Sequence, residues 1–77
     1  MNKTYKERIR ELREDRDLTQ TQIAEVLKIN QTVYSRYEGG RAKMPIHHLI
    51  TLADYYNTST DYILGRTNNN KPYPKAQ

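Results

Sequence analysis

Residues 18–40, LTQTQIAEVLKINQTVYSRYEGG, decide how this chain folds. Thr19 with Gln22 three residues later is a capping box, in which hydroxyl and amide side chains satisfy two otherwise orphaned backbone N–H groups. Ile23, Ala24 and Leu27 then fall on one helical face. Ala24 is small and lets a neighbouring helix cross closely. Lys28-Ile29-Asn30 reads as a tight turn, with Ile29 as an apolar plug and Asn30 as the side-chain cap of the next helix. That helix covers residues 31–38. Tyr34 and Tyr37, three apart, face inward and leave Gln31, Thr32, Val33, Ser35 and Arg36 outward. Gly39-Gly40 ends it, because glycine enters the left-handed C-terminal conformation at little cost.

Working outward, residues 4–15 place Tyr5, Ile9 and Leu12 on one apolar stripe, with Arg10 and Glu14 paired at i,i+4 on the other face. Arg13 borders the apolar stripe, an odd place for a charge without a partner. Beyond the glycines, residues 41–44 form a basic loop. Pro45 suits a first helical position, and Leu49, Leu52, Ala53 and Tyr56 give the inward face of a helix ending near Asn57. Thr58 or Ser59 caps a short fifth helix with Asp61 in its first turn. Tyr62, Ile63 and Leu64 are expected to pack, and Gly65 to stop it. The expectation is an all-α domain over residues 1–65, followed by a flexible polar and basic tail, RTNNNKPYPKAQ, over residues 66–77.

The bulk numbers agree with one small domain. The chain has 77 residues, 35% of them hydrophobic, with seven Tyr and no Phe, Trp or Cys. A disulfide framework and a cysteine metal site are therefore excluded. No apolar run approaches a signal segment or a membrane span, so a soluble, cytoplasmic protein is expected. The net charge of +4 is unevenly spread. Acids and bases balance over residues 1–27. Lys28, Arg36, Arg41 and Lys43 outweigh Glu38 over residues 28–43, and Arg66, Lys71 and Lys75 make the tail basic. A positive block on the turn, the following helix and its loop points to a polyanion, and the layout suits a helix that enters a DNA groove. His47 and His48 are adjacent and point about 100° apart on a helix. They are expected to be exposed, at a subunit contact rather than on a metal. Nothing resembles a nucleophile–base pair, a phosphate-cradling glycine loop or a metal cluster, so neither an enzyme nor a cofactor is expected.

Ile9 with Leu12-Arg13, Leu18-Thr19-Gln20, Ile23-Ala24, Leu27-Lys28-Ile29, Ser35-Arg36-Tyr37-Glu38, Gly40, Pro45, Leu49, Leu52-Ala53 and Asp61-Tyr62-Ile63-Leu64-Gly65 occur in one ordered set. In that set the chain resembles the phage-repressor/Cro-type, XRE-like helix-turn-helix family. The resemblance implies a compact five-helix, lambda-repressor-like DNA-binding domain with residues 31–38 as recognition helix. It departs in three places. Lys28 replaces a common turn glycine, Gly39 replaces a polar phosphate-contacting residue, and Thr58 replaces a usual Val.

On this reading Gln31 and Arg36 are candidates for bidentate contacts to adenine and guanine, and Val33 for a thymine methyl. Thr32 and Ser35 complete the reading edge; the plainer alternative for all five is a solvated helix face. The resemblance implies that Gln20 bonds a phosphate and braces Gln31. Asn30, Arg41 and Lys43 are further phosphate candidates. Arg13 and Glu38 resemble a partly buried structural ion pair. The expected function is a sequence-specific, double-stranded DNA-binding transcriptional regulator. It would be a nucleoid-associated repressor binding an inverted repeat as a homodimer, with Ile46, Ile50, the fifth helix and Tyr73 as candidates for self-association. The alternatives are an antitoxin whose tail folds on a toxin partner, and a protein-interaction module without DNA binding.

Overall fold

The computed structural model describes residues 3–74. It contains five helices: α1 (Tyr5–Glu14), α2 (Gln20–Leu27), α3 (Gln31–Glu38), α4 (Ile46–Tyr55) and α5 (Thr60–Ile63). Thr4 and Thr19 each complete a capping box, with Glu7 and Gln22 as the returning side chains. Asn30 and Ser59 accept from the third backbone N–H of their helices. Pro45 sits one place earlier than its helical preference suggests, as the extended residue before α4, and makes no side-chain cap.

The five C-termini share one device. Asp17, Lys28, Gly40, Asn57 and Gly65 have φ between 54° and 79°. The N–H of each left-handed residue bonds back three residues, and the N–H of the next residue bonds back five. Lys28 to Glu25 with Ile29 to Ala24, and Gly40 to Tyr37 with Arg41 to Arg36, are the two cases beside α3. This closure satisfies carbonyls that would otherwise be orphaned where the chain turns. Glycine supplies it twice and Asp or Asn twice. Lys28 is the one residue of the five whose side chain gains nothing from the left-handed conformation.

The core consists of Ile9, Leu12, Ile23, Ala24, Leu27, Tyr34, Tyr37, Leu52, Ala53, Tyr56 and Ile63. α2 packs most extensively on α3, α1 bridges α3 and α5, and α4 closes the other side against α2 and α5. The Tyr34 and Tyr37 rings meet edge to face at 6.4 Å, a favoured aromatic geometry.

Several side chains lie elsewhere than the sequence suggests. His48 is buried rather than exposed. It occupies the stripe of Leu52 and Tyr56 at four-residue steps, and its ring lies 6.1 Å from that of Tyr37. Burial, and then His47, lower its pKa below the ordinary 6.5. Leu64, expected to pack, is 44% exposed because α5 has already ended. Leu49 is half-buried at the edge of the core.

Residues 66–74 form no helix, yet they are tied to the body. Arg8, buried with its guanidinium 4.1 Å over the Tyr62 ring, donates to Asn68 Oδ1 at 2.8 Å. Thr58 donates to the Asn70 carbonyl at 2.7 Å, and the Tyr73 hydroxyl to Asp61 at 3.0 Å. Thr58 therefore anchors the following segment through its hydroxyl, a contact that valine cannot make. The expected flexible tail also includes Lys75, which lies outside the described residues.

Lys28→Gly should relieve left-handed strain and raise stability by up to about 1 kcal/mol, net of the greater freedom of glycine in the unfolded chain. Urea unfolding of the two proteins checks this. Unchanged or lower stability would mean that the turn carries no strain at Lys28.

Candidate nucleic-acid interface

The face built by α2 and α3 is organised from within. Arg13 reaches from α1 to α3, where its Nε and Nη2 donate to the two oxygens of Glu38 at 2.8 and 3.0 Å. Its Nη1 donates to the Leu18 carbonyl at 2.9 Å, at the entry to α2. One guanidinium thus fixes three segments through a two-pronged geometry that lysine lacks. The pair is largely dry, with side-chain exposures of 13% for Arg13 and 5% for Glu38. Burial pushes the Glu38 carboxyl up, but the hydrogen bonds from Arg13 and Gln20 outweigh it. The net value lies below the ordinary 4.5. The Tyr34 and Tyr56 phenols are pushed far above their usual range, first by burial and then by the Glu38 charge.

From Glu38 the hydrogen bonds run outward. Gln20 Nε2 donates to Glu38 Oε1 at 3.2 Å, and Gln31 Nε2 donates to Gln20 Oε1 at 2.7 Å. The chain Arg13–Glu38–Gln20–Gln31 therefore links a buried charge to the first residue of α3. Gln31, Thr32 and Arg36 are exposed, and Ser35 is half-buried beside them. Val33 is half-buried and packs on the core, so only part of it is open to a partner.

The remaining candidates surround this edge. Gln20 stands at the start of α2, where free backbone N–H groups and the helix dipole attract anions. Asn30 is exposed, but its side-chain oxygen is committed to the Val33 N–H. Arg41 and Lys43 are exposed on the loop after α3, and the Arg41 N–H closes that helix. A cleft of about 240 Å³, lined by Arg10, Arg13, Gln20, Ser35, Glu38 and Gly39, opens between α1 and α3. Arg10 was not among the candidates. It pairs with Glu14 at 3.5 Å, and its side chain is 64% exposed. The available signal was its position three residues before Arg13, on the same side of α1.

Two short helices, the tight turn between them and a cationic rim have the layout of a helix-turn-helix. Residues 6–69 match the model of the helix-turn-helix domain family. The chain belongs to that family. Helix-turn-helix proteins of known sequence resemble it along most of its length. A Bacillus subtilis (strain 168) protein named uncharacterized HTH-type transcriptional regulator YobD is 41% identical over 73 residues, 95% of this chain and 63% of that protein. HTH-type transcriptional regulator AnsR, from the same strain, is 31% identical over 91% of this chain and 60% of its own length. The cryptic phage CTXphi transcriptional repressor RstR of Vibrio cholerae is 34% identical over 79% of this chain and 54% of its own. A crystal structure of a transcriptional regulator from Listeria innocua superposes with a TM-score of 0.80 at 29% identity, covering 90% of this chain and 64% of that one. The helix-turn-helix chain thus spans between about half and two thirds of the length of these relatives. No helix among its described residues is long and apolar enough to cross a membrane.

Breaking the buried pair should cost more than deleting it. Arg13→Ala or Glu38→Ala alone is expected to lose about 3 kcal/mol, and the double variant clearly less than the sum. The sign with pH follows from the depressed Glu38 value. Its contribution is complete above the unfolded value near 4.5 and disappears as pH falls through the folded value. Urea unfolding at pH 7 and across the acid range measures both effects. Additive single variants, or an acid profile unaltered in the double variant, would contradict the pair's role.

Proposed function

We propose that the chain acts as a sequence-specific, double-stranded DNA-binding transcriptional regulator, a repressor that occupies an inverted-repeat operator as a homodimer. The observation that carries this reading is the braced edge of α3. Gln31 is held by Gln20, with Thr32 and Arg36 exposed beside it and Arg41 and Lys43 on the flanking loop. In the major groove the first residues of such a helix reach base edges. Gln31 then pairs with the N6 and N7 of an adenine, and Arg36 with the O6 and N7 of a guanine. Thr32, Ser35 and the open part of Val33 fill the rest of the footprint. Gln20, Arg41 and Lys43, joined by Arg10 across the cleft, hold phosphates and set the register. Asn30 contributes to phosphate binding through its position, since its side chain already caps α3.

The repressor reading takes support from RstR, which carries that name. The dimer reading takes support from α4, where Ile46 and Ile50 are 73% and 49% exposed on one face, with Leu64 at 44%. An apolar recess of about 240 Å³, lined by Tyr5, Lys43, Met44, Leu49 and Leu64, adjoins them. A homodimer with one α3 in each of two successive major grooves requires half-site centres about 34 Å apart. Residues 66–74 are hydrogen-bonded to Arg8, Thr58 and Asp61 of the same domain, which favours this reading over the antitoxin alternative.

Selection from a random duplex pool should enrich one inverted-repeat sequence. Against it, Gln31→Ala should lose about 1–3 kcal/mol of discrimination at one base pair per half-site. Lys43→Ala should weaken every sequence alike and flatten the salt dependence by about one unit of slope. Anisotropy titrations at several salt concentrations distinguish the two. Absence of any selected sequence, or a preference unchanged in Gln31→Ala, would refute base reading by α3.

A further inference from the structure

The hydrogen-bond chain behind α3 has a direction. An ionised carboxylate has no proton to donate, so whatever approaches Glu38 must be a donor. Arg13 approaches with guanidinium N–H groups, and Gln20 must therefore approach with its amide nitrogen. A glutamine amide has one nitrogen and one oxygen. Turning the nitrogen inward obliges Gln20 to turn its oxygen outward, where it meets Gln31. Gln31 must in turn donate, and it does so at 2.7 Å. One N–H of Gln31 is then spent. What it shows to solvent is a carbonyl oxygen and a single remaining N–H.

We infer that Glu38, which lies beneath the surface, sets the donor–acceptor polarity of the exposed Gln31 amide through Gln20, and so selects adenine over guanine at the base pair Gln31 reads. This rests on the DNA-reading function proposed above. The chemistry is a match of patterns. Adenine offers a donor at N6 and an acceptor at N7, which fit one acceptor and one N–H. Guanine offers acceptors at both O6 and N7. An unconstrained Gln31 can rotate and give both of its N–H groups to guanine; a Gln31 held by Gln20 brings its oxygen against a guanine acceptor. Glu38 is thus a positioning residue for specificity that touches no base, and Gln20 transmits its effect.

Two variants cut the chain at different points. Gln20→Met removes the transmitter at a half-buried surface position and leaves the ion pair intact. Arg13→Met with Glu38→Met replaces the buried pair by apolar groups of similar length, an exchange that such pairs often tolerate, and leaves Gln20 without its anchor. The first readout needs no DNA. In side-chain amide spectra of the ¹⁵N-labelled full chain, one Gln31 Nε2 proton should be shifted and slowed in exchange. Both properties should approach those of a free glutamine in either variant. The second readout is the adenine-to-guanine preference at the Gln31 base pair, measured on the sequence selected by the wild-type protein. It should fall about tenfold in either variant, by no more when the changes are combined, and not at all in a Gln31→Ala background. In Gln20→Met, which leaves the Arg13–Glu38 brace intact, preferences at the other base pairs should be unchanged.

Gln31 amide signals that do not respond to Gln20→Met would overturn the inference. So would an unaltered adenine preference alongside altered signals or, in Gln20→Met, losses spread evenly over all base pairs. If the wild-type protein selects no sequence, the DNA-reading function fails, and the specificity role of Glu38 fails with it. That failure is recognisable because the amide spectra of the free protein would still report the polarity.

Discussion

Everything on the α2–α3 face depends on one buried charge finding its counter-charge. Glu38 ends the second helix of the motif, and Arg13 comes from a helix 25 residues earlier. Neither tolerates burial alone, because stripping water from a single charge costs several kcal/mol. Together, with Leu18 and Gln20 satisfying further hydrogen-bonding positions, they are compatible with a dry site. The energetic gain of such a pair over an apolar one is small or negative. Its value lies in geometry, since the planar fork of Arg13 accepts only one placement of α3 relative to α1 and the entry of α2.

A domain of this size has little core to spare, and its ends carry much of the definition. Each of the five helices closes through a left-handed residue, so the chain reverses five times without leaving its last carbonyls unpaired. The turn between α2 and α3 uses Lys28 for this although lysine favours it least. The compensation is local: Ile29 packs beneath the turn and Asn30 caps α3 immediately afterwards.

Much of this was legible in the sequence because it is local. Caps at Thr19 and Asn30, the glycine stop after Glu38 and the inward tyrosines are short-range patterns, and the bounds of α3 follow from them. The family resemblance reached further and is matched by the helix-turn-helix model over residues 6–69. What the patterns missed depends on tertiary neighbours. His48 lies on the buried stripe of α4, but its polarity argues for the surface, and its packing beside the Tyr37 ring appears only in the assembled fold. Leu64 is apolar yet exposed because α5 is only four residues long. The contacts of residues 66–74 are made by polar atoms of Arg66, Asn68, Asn70 and Tyr73, which leave no hydrophobic periodicity to read. Arg10 looked like half of a surface pair, and its position on the cleft appears only once α1 is set against α3.

These arrangements support the proposal that α3 is the surface that meets DNA. Its inner face holds Tyr34 and Tyr37, its C-terminus the ion pair, and its outer face the side chains free to bond. The most direct measurement is a backbone amide shift titration of the labelled protein with duplex DNA at moderate salt. The account predicts that the largest changes fall on residues 19–21, 31–36 and 41–43. Changes concentrated on the exposed face of α4 and on α5, with residues 31–36 unmoved, would contradict it.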